Sequence, residues 1–259
     1  MIVVDGSTAF IGGAGFADWW RFSTKDEPRW RDNMFRVQGD AVYGLQGTFV
    51  ENWLETSGEI LTGQDYFPPK SKDPGNMTAL VIGSTPSAGG STRSRILFQT
   101  LIAASRKSIC LTTPYFLPDR AMRQEMIRAI QRGVVVKIIA PGKHGDHSLT
   151  RSSGRSLYGD LLKAGAEIYE YEPSMIHGKI LIVDGAWSLV GTSNLDNRSF
   201  GLNDEVNLAI VDSRVAARLT QDFEGDLSSS RAVSFQDWRN RPLYERLFEW
   251  FGWIVQSQQ

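Results

Sequence analysis

The sequence predicts an α/β layered fold built around an internal duplication, and three observations carry that prediction. Apolar strand patterns alternate with helical ones through the second half of the chain, the order that layered α/β domains require. Val134-Val135-Val136-Lys137-Ile138-Ile139 is an apolar run of the kind that parallel sheets bury on both faces. The third observation is a repeat: segment 2–15 has a partner 179 residues further along.

The first copy opens with Ile2-Val3-Val4-Asp5-Gly6 and the second with Leu181-Ile182-Val183-Asp184-Gly185. Each is an apolar strand ending in Asp-Gly, a strong hairpin signal. A second short strand and a bend follow each, Gly12-Gly13-Ala14-Gly15 in one copy and Gly191-Thr192-Ser193-Asn194 in the other. Then come a polar loop and a further strand, residues 34–37 behind Asp32 and 206–211 behind Glu205. Agreement over fourteen positions with like flanks favours duplication over two unrelated hairpins.

Between the copies the elements follow in order. The Pro- and Lys-bearing stretch 68–75 is a loop, and it separates expected domains at 1–70 and 76–259. A short strand at 80–82 and a Gly/Ser-rich stretch at 84–91 lead to a helix at 94–107, where Ile96, Leu97, Leu101 and Ala104 share one face. A strand at 108–113 precedes a helix at 119–131, with Asp119 as N-cap and Gly133 just past the end. After the apolar strand at 134–139, a helix at 155–163 is closed by Gly165, and 167–171 is a strand. The aromatic segment 243–255 is too short to span a bilayer; it fits a terminal helix that packs on the body or lies in the headgroup region.

Composition narrows the function classes. The chain has 259 residues, 41% hydrophobic and 22% charged, which excludes a disordered or collagen-like polymer. A net charge of −1 argues against a dedicated nucleic-acid binder, which carries a basic excess. One cysteine, Cys110, excludes an internal disulfide, and its apolar neighbours make it a packed thiol. No run of 18 apolar residues is present to cross a bilayer. The chain opens inside a strand pattern, with no basic n-region or cleavage site, and residues upstream of Met1 are expected.

The chemistry concentrates around residue 177. His177-Gly178-Lys179 sets an imidazole and an ammonium two apart on a strand, hence on one face, with Gly178 leaving room beside them. Imidazole can attack phosphorus or protonate a leaving oxygen, while an ammonium and an Asn amide hold nonbridging oxygens. Asp184, Thr192, Asn194 and Glu205 follow at fixed spacing, and Glu205 is the acid available to orient the imidazole. His144 and His147 sit in a loop after a strand end, without a third ligand or a second shell for a metal. Trp19, Trp20 and Trp30, among Arg21, Lys25 and Arg29, read as an interfacial surface or as a small satellite core.

This constellation resembles the phospholipase D superfamily, whose signature is HxKxxxxD followed by GSxN. Residues 177–205 look most like the bacterial cardiolipin synthase branch, as do Thr113-Pro114-Tyr115-Phe116-Leu117-Pro118-Asp119 and Arg132-Gly133-Val134. The resemblance implies two pseudo-symmetric phospholipase D-like α/β/α layered domains, the first of them incomplete. It implies a phosphohistidine intermediate and two motifs facing one another, without cofactor or metal. His177 would then be the acid/base, Lys179 and Asn194 would bind phosphate oxygens, and Asp184 would be chiefly structural. Glu205 would fix the imidazole tautomer, Thr192 keeps the hydroxyl of the usual Ser, and Asp32 is the first-half counterpart of Glu205. Tyr115 would line an acyl or headgroup pocket, and His147 would stand near phosphate.

Asp5 is what remains of the first motif, and the bend at Gly12–Gly15 lacks its Asn; the matching Lys and His would fall before Met1. The implied reaction passes a phosphatidyl group from one phosphatidylglycerol to another at the cytoplasmic membrane face, with the protein bound peripherally and no nucleic acid involved. The chain by itself is then expected to be inactive. A phosphodiesterase using water, on lipid or nucleic acid, and a catalytically dead lipid-binding module are the rival readings.

Overall fold

The computed structural model describes residues 1–24, 28–70, 75–86 and 92–242. Two sheets carry the fold. The first is antiparallel and has three strands, β1 (Ile2–Val4), β2 (Thr8–Gly12) and β3 (Met34–Gln38), in that order. Helix α1 (Asp18–Arg21) lies between β2 and β3, and α2 (Ala41–Ser57) follows β3.

The second sheet is larger. In chain order its region contains β4 (Thr78–Ser84), α3 (Arg93–Ala104), β5 (Ser108–Thr112), α4 (Arg120–Gln131), β6 (Val135–Pro141), α5 (Ser148–Ser156), α6 (Tyr158–Ala164) and β7 (Glu167–Tyr171). Then come β8 (Ile180–Val183), β9 (Trp187–Gly191), α7 (Asn197–Gly201), β10 (Glu205–Val211), α8 (Ser213–Ser228), β11 (Ser230–Val233) and α9 (Phe235–Arg239). Its eight strands run β11-β7-β6-β5-β8-β9-β10-β4. Only β6 has parallel neighbours on both sides, β5 and β7, and its apolar run is buried as such a strand demands.

The duplication is visible in the ladders. Val3 faces Ala9 across β1 and β2, and 179 residues on Ile182 faces Ser188 across β8 and β9. Gly12 pairs with Met34 as Gly191 pairs with Asn207, so Asp32 and Glu205 occupy the same place two residues upstream. Asp5 and Asp184 are the two non-glycine residues with positive φ among the described ones, each starting a tight Asp-Gly turn.

Both faces of the large sheet are covered. On one, Ile109, Leu111, Val136, Ile138 and Leu181 pack under Phe98 and Ile102 of α3, Met122 and Met126 of α4 and Leu161 of α6. On the other, Ile139, Ile182, Val190 and Leu208 meet Ala216, Leu219 and Phe223 of α8. Ala9 and Ile11 of β2 and Val42 and Leu45 of α2 belong to this second core, so the small sheet is held against the large one by shared apolar burial.

Beyond shifts of one to three residues at element ends, the structure differs from the sequence pattern in one expected helix and in several elements that the pattern does not predict, α2 the longest of them. The helix expected at 155–163 is two helices, α5 and α6, meeting at Leu157, and it begins seven residues earlier, in a polar stretch without a marked stripe. The 17-residue helix α2 has no side-chain N-cap, and it offers only Val42, Leu45 and Gln46 to the interior. The segment 243–255 lies outside the described residues.

One polar cluster lies deep in the large sheet. Glu170 of β7 is fully buried, and its carboxylate meets Arg151 at 3.4 Å, Arg155 at 3.1 Å and Arg231 at 2.5 Å. Three cations around one buried anion tie α5 and β11 to the middle of β7.

Candidate functional site

His177 lies just before β8, beside the bridge that joins Ile176 to Arg31 of the first repeat. Its backbone N–H donates to Arg31 O at 2.7 Å, and Arg31 N–H donates to Met175 O at 2.8 Å. These bonds form a parallel bridge between residues 31 and 176. The Arg31 guanidinium also pairs with Asp226 of α8 at 2.7 Å, which fixes the segment against the body. The result is that Asp32 of the first repeat is delivered onto the imidazole of the second.

Asp32 Oδ2 stands 2.9 Å from His177 Nδ1, and the carboxylate side chain is only 4% exposed. Its other oxygen accepts the Asn33 N–H at 2.8 Å. This corrects the assignment of Glu205 as the acid that orients His177. Glu205 accepts instead from the Thr192 hydroxyl and from Asn203 Nδ2 at 3.4 Å, while Val206 N–H donates to Thr192 Oγ1 at 3.0 Å. The physical reason is topology: the bridge between residues 31 and 176 carries Asp32 across the seam to His177, while Glu205 turns back onto Thr192 of its own repeat.

Lys179 Nζ donates to His177 O at 2.9 Å and lies 3.1 and 3.3 Å from the two ring nitrogens. Burial pushes its ammonium down to about 8, against the pull of Asp32, Glu205, Asp196 and Asp146. Gly178 leaves room between them, since a Cβ there would come within 3.1 Å of Asn33 Oδ1 and press on that side chain. The protonated form of Lys179 is the one that attracts an anion. Sulfate keeps its charge throughout this range, so its affinity measured by calorimetry is expected to fall as pH rises through about 8. Well above that point the loss approaches about tenfold per pH unit, as the protonated fraction falls. The same pH dependence in a Lys179→Met variant would assign it to another group.

The remaining motif residues separate into two groups. Asn194 follows β9; its backbone N–H donates to Ser199 Oγ at 3.1 Å, and its side-chain Oδ1 has no partner among the described residues. Asp184 lies at the far end of β8 from the imidazole. There its carboxylate accepts the backbone N–H groups of Arg106, Lys107 and Ser108 at 2.7–3.2 Å. Burial opposes its ionisation, but those three donors together hold it below the usual carboxylate range. Asp184 therefore joins the α3–β5 turn to β8 and takes no part in the chemistry at the ring. Asp5, its counterpart, is an exposed turn residue.

Tyr115 donates its hydroxyl to Asp146 Oδ2 at 2.6 Å, and burial together with that bond pushes its phenol up. His147 is largely exposed and turned toward Asp146 and the Tyr115 ring. Two acids not anticipated from the motif act here. Asp146 influences Lys179, and Asp196, 5% exposed, caps α7 through the Ser199 N–H at 2.7 Å. Burial pushes the Asp196 carboxyl up to about 6, with Glu205 adding to the rise and Lys179 opposing it. Its signal in the sequence was the N-cap pattern Asp196-x-x-Ser199 ahead of a short helix. Cys110 is partly buried, and desolvation pushes its thiol up to about 11, away from nucleophilic use.

The tryptophans belong to the site. Trp20 and Trp30 pack their rings 5.5 and 5.3 Å from the His177 imidazole, and Trp19 stacks behind both. Beyond them opens a cleft of about 380 Å³, lined by Trp19, Phe22, Pro28, Trp30 and Met175 with His144 at its edge.

A large mixed sheet with a duplicated hairpin, and a His-x-Lys pair entering one of its central strands, define a protein of the phospholipase D class. Two solved structures share this fold. The phosphatidylserine synthase of Haemophilus influenzae superposes over 98% of this chain and 68% of its own, with a TM-score of 0.70 at 15% identity. Nuc from Salmonella typhimurium, a phospholipase D family member, superposes over 61% of this chain and 99% of its own, with a TM-score of 0.52 at 20% identity. Residues 98–227, just over half of the chain, match the family described as cardiolipin synthase, PLD-like domain. The chain belongs to that family. Among curated relatives, cardiolipin synthase of Oceanobacillus iheyensis is 36% identical over 95% of this chain and 50% of its own length. Cardiolipin synthase 1 of Bacillus cereus is 32% identical over 98% of this chain and 51% of its own. The chain thus spans about half the length of the curated relatives it matches.

Proposed function

We propose that this site performs phosphatidyl transfer of the cardiolipin synthase type, taking the phosphatidyl group of one phosphatidylglycerol and passing it to the hydroxyl of a second with release of glycerol. The observation that carries the reading is the buried Asp32–His177–Lys179 arrangement: an imidazole with one nitrogen held by a carboxylate and an ammonium beside its ring. With Nδ1–H donated to Asp32, Nε2 is the nitrogen left for chemistry. Protonated, it delivers a proton to the departing glycerol oxygen; neutral, it accepts the proton of the incoming hydroxyl. Between these steps the phosphatidyl group rests on an imidazole facing His177: a P–N bond forms as the P–O bond to glycerol breaks, and breaks again as the acceptor oxygen attacks. Lys179 and Asn194 hold the nonbridging oxygens, and Glu205 stands to the facing imidazole as Asp32 does to His177.

In this reading residues 1–70 contribute Asp32 and the tryptophans, and residues 76–259 contribute His177, Lys179, Asn194 and Glu205. The protein works on anionic lipid at the cytoplasmic face of a membrane, bound peripherally; among the described residues no helix is long and apolar enough to cross one. The test is product analysis with phosphatidylglycerol vesicles and a form of the protein that supplies both imidazoles. Cardiolipin and glycerol in equal amounts support transfer, whereas phosphatidic acid and glycerol would make water the acceptor.

In this mechanism Lys179 supplies the positive charge opposite the phosphate, and the Asn194 amide donates a hydrogen bond to a nonbridging oxygen. Among the described residues no three His, Cys, Asp or Glu side chains gather as a metal site. Activity is therefore expected to survive excess EDTA. Its loss on chelation, with recovery on adding back one divalent ion, would overturn the metal-free mechanism.

A further inference from the structure

Two side-chain donors meet on one oxygen of Asp32. His177 Nδ1 lies 2.9 Å from Oδ2, and the Trp20 indole Nε1–H donates to the same atom at 3.1 Å. The carboxylate is almost fully enclosed, so little water is present to share its charge, and each donor weighs more than it would on the surface. The Trp20 ring also meets the imidazole nearly edge-on, at 76°, while Trp30 lies across it at 38°. Trp30 N–H donates to Trp19 O at 2.8 Å, closing the loop that carries all three rings.

The repeat accounts for how the indole fits. Gly15 holds the place that Asn194 takes in the second copy, and a Cβ at Gly15 would come within 3.2 Å of the Trp20 ring. Where the second repeat places an amide side chain, the first leaves a gap and lets an indole lie over it.

We propose that Trp20 is a positioning residue of the site: its indole N–H, sharing Asp32 Oδ2 with His177, sets the plane of that carboxylate and limits its pull on the imidazole proton. Asn33 N–H holds Oδ1 at 2.8 Å, and the rigid indole holds Oδ2 at 3.1 Å, so the carboxylate is pinned at both oxygens against rotation about its last torsion. Two donors on one oxygen also divide its negative charge between them. The functional consequence rests on His177 being the reacting imidazole, but the test uses no turnover, so the two readings fail separately.

The test is nitrogen-15 and proton NMR of the histidine and tryptophan rings, with the three His signals assigned by substitution. Trp20→Phe keeps an aromatic ring and removes only the donor. The His177 Nδ1–H signal is expected to move downfield, because Asp32 Oδ2 no longer divides its charge between two donors and pulls harder on the imidazole proton. Trp19→Phe serves as the control, because the ring neighbours of Trp19 are Trp20 and Trp30 rather than the imidazole. An unchanged His177 signal in Trp20→Phe would overturn the proposal, and equal effects from both variants would assign the role to ring packing instead. Should Trp20→Phe not fold, Asp32→Asn gives the reciprocal measurement. The Trp20 indole N–H signal must then move, and its staying in place would equally refute the shared bond.

Discussion

In a form of the protein that supplies both imidazoles, replacing His177 with Ala is expected to reduce phosphatidyl transfer by about 10²–10⁴-fold, the usual contribution of a positioned acid–base group. The fold should remain. The backbone N–H of residue 177 still reaches Arg31 O, and the imidazole removed is partly exposed at the seam. Asp32 is not orphaned either, because Trp20 Nε1–H and Asn33 N–H continue to donate to it. Loss of activity with an unchanged thermal transition is the expected combination. Activity within about tenfold of the parent would remove His177 from the mechanism.

The largest stability effect should come from a residue remote from the motif. Glu170→Gln keeps the shape of the side chain but removes the anion that Arg151, Arg155 and Arg231 share, while Arg231 keeps Glu172 at 3.7 Å. Breaking a buried ion pair by removing one partner costs about 3–5 kcal/mol, because a charge stays in the interior uncompensated. The guanidinium of Arg155 is the most enclosed of the three, and that of Arg231 is half exposed and can rehydrate. The lower end, about 3 kcal/mol, is therefore expected, a fall in the melting temperature of roughly 10 °C for a chain this size. Urea titration measures it directly. A change below about 1 kcal/mol would mean that water already screens the cluster.

Local patterns in the sequence were informative and pairings across the seam were not. The Asp-Gly hairpins, the N-cap of α4 at Asp119 and the buried run of β6 are each decided by a few adjacent residues. The partner of His177 is not local: Asp32 lies 145 residues away. Nothing in the first repeat states that its carboxylate serves the second, so the sequence alone assigns the second repeat's own acid, Glu205, to the ring that Asp32 holds. Glu170 was equally silent. In Glu167-Ile168-Tyr169-Glu170-Tyr171 it looks like one more polar strand residue, and only the arrival of α5 and β11 turns it into a buried anchor. The tryptophans were conspicuous by type, yet their contact with the imidazole depends on the bridge between Arg31 and Ile176.

The bridge at the seam also makes the site a conjunction of two folding events. Ala9, Ile11, Val42 and Leu45 share one core with the large sheet, and Asp32 reaches His177 only while that core is closed. A subglobal opening that released residues 1–57 could leave the eight strands of the large sheet paired and yet strip the imidazole of its acceptor and its indole wall. The Asp32–His177 pair thus exists only in molecules whose two repeats are docked. A nascent or partly unfolded chain carries the same histidine without its acceptor.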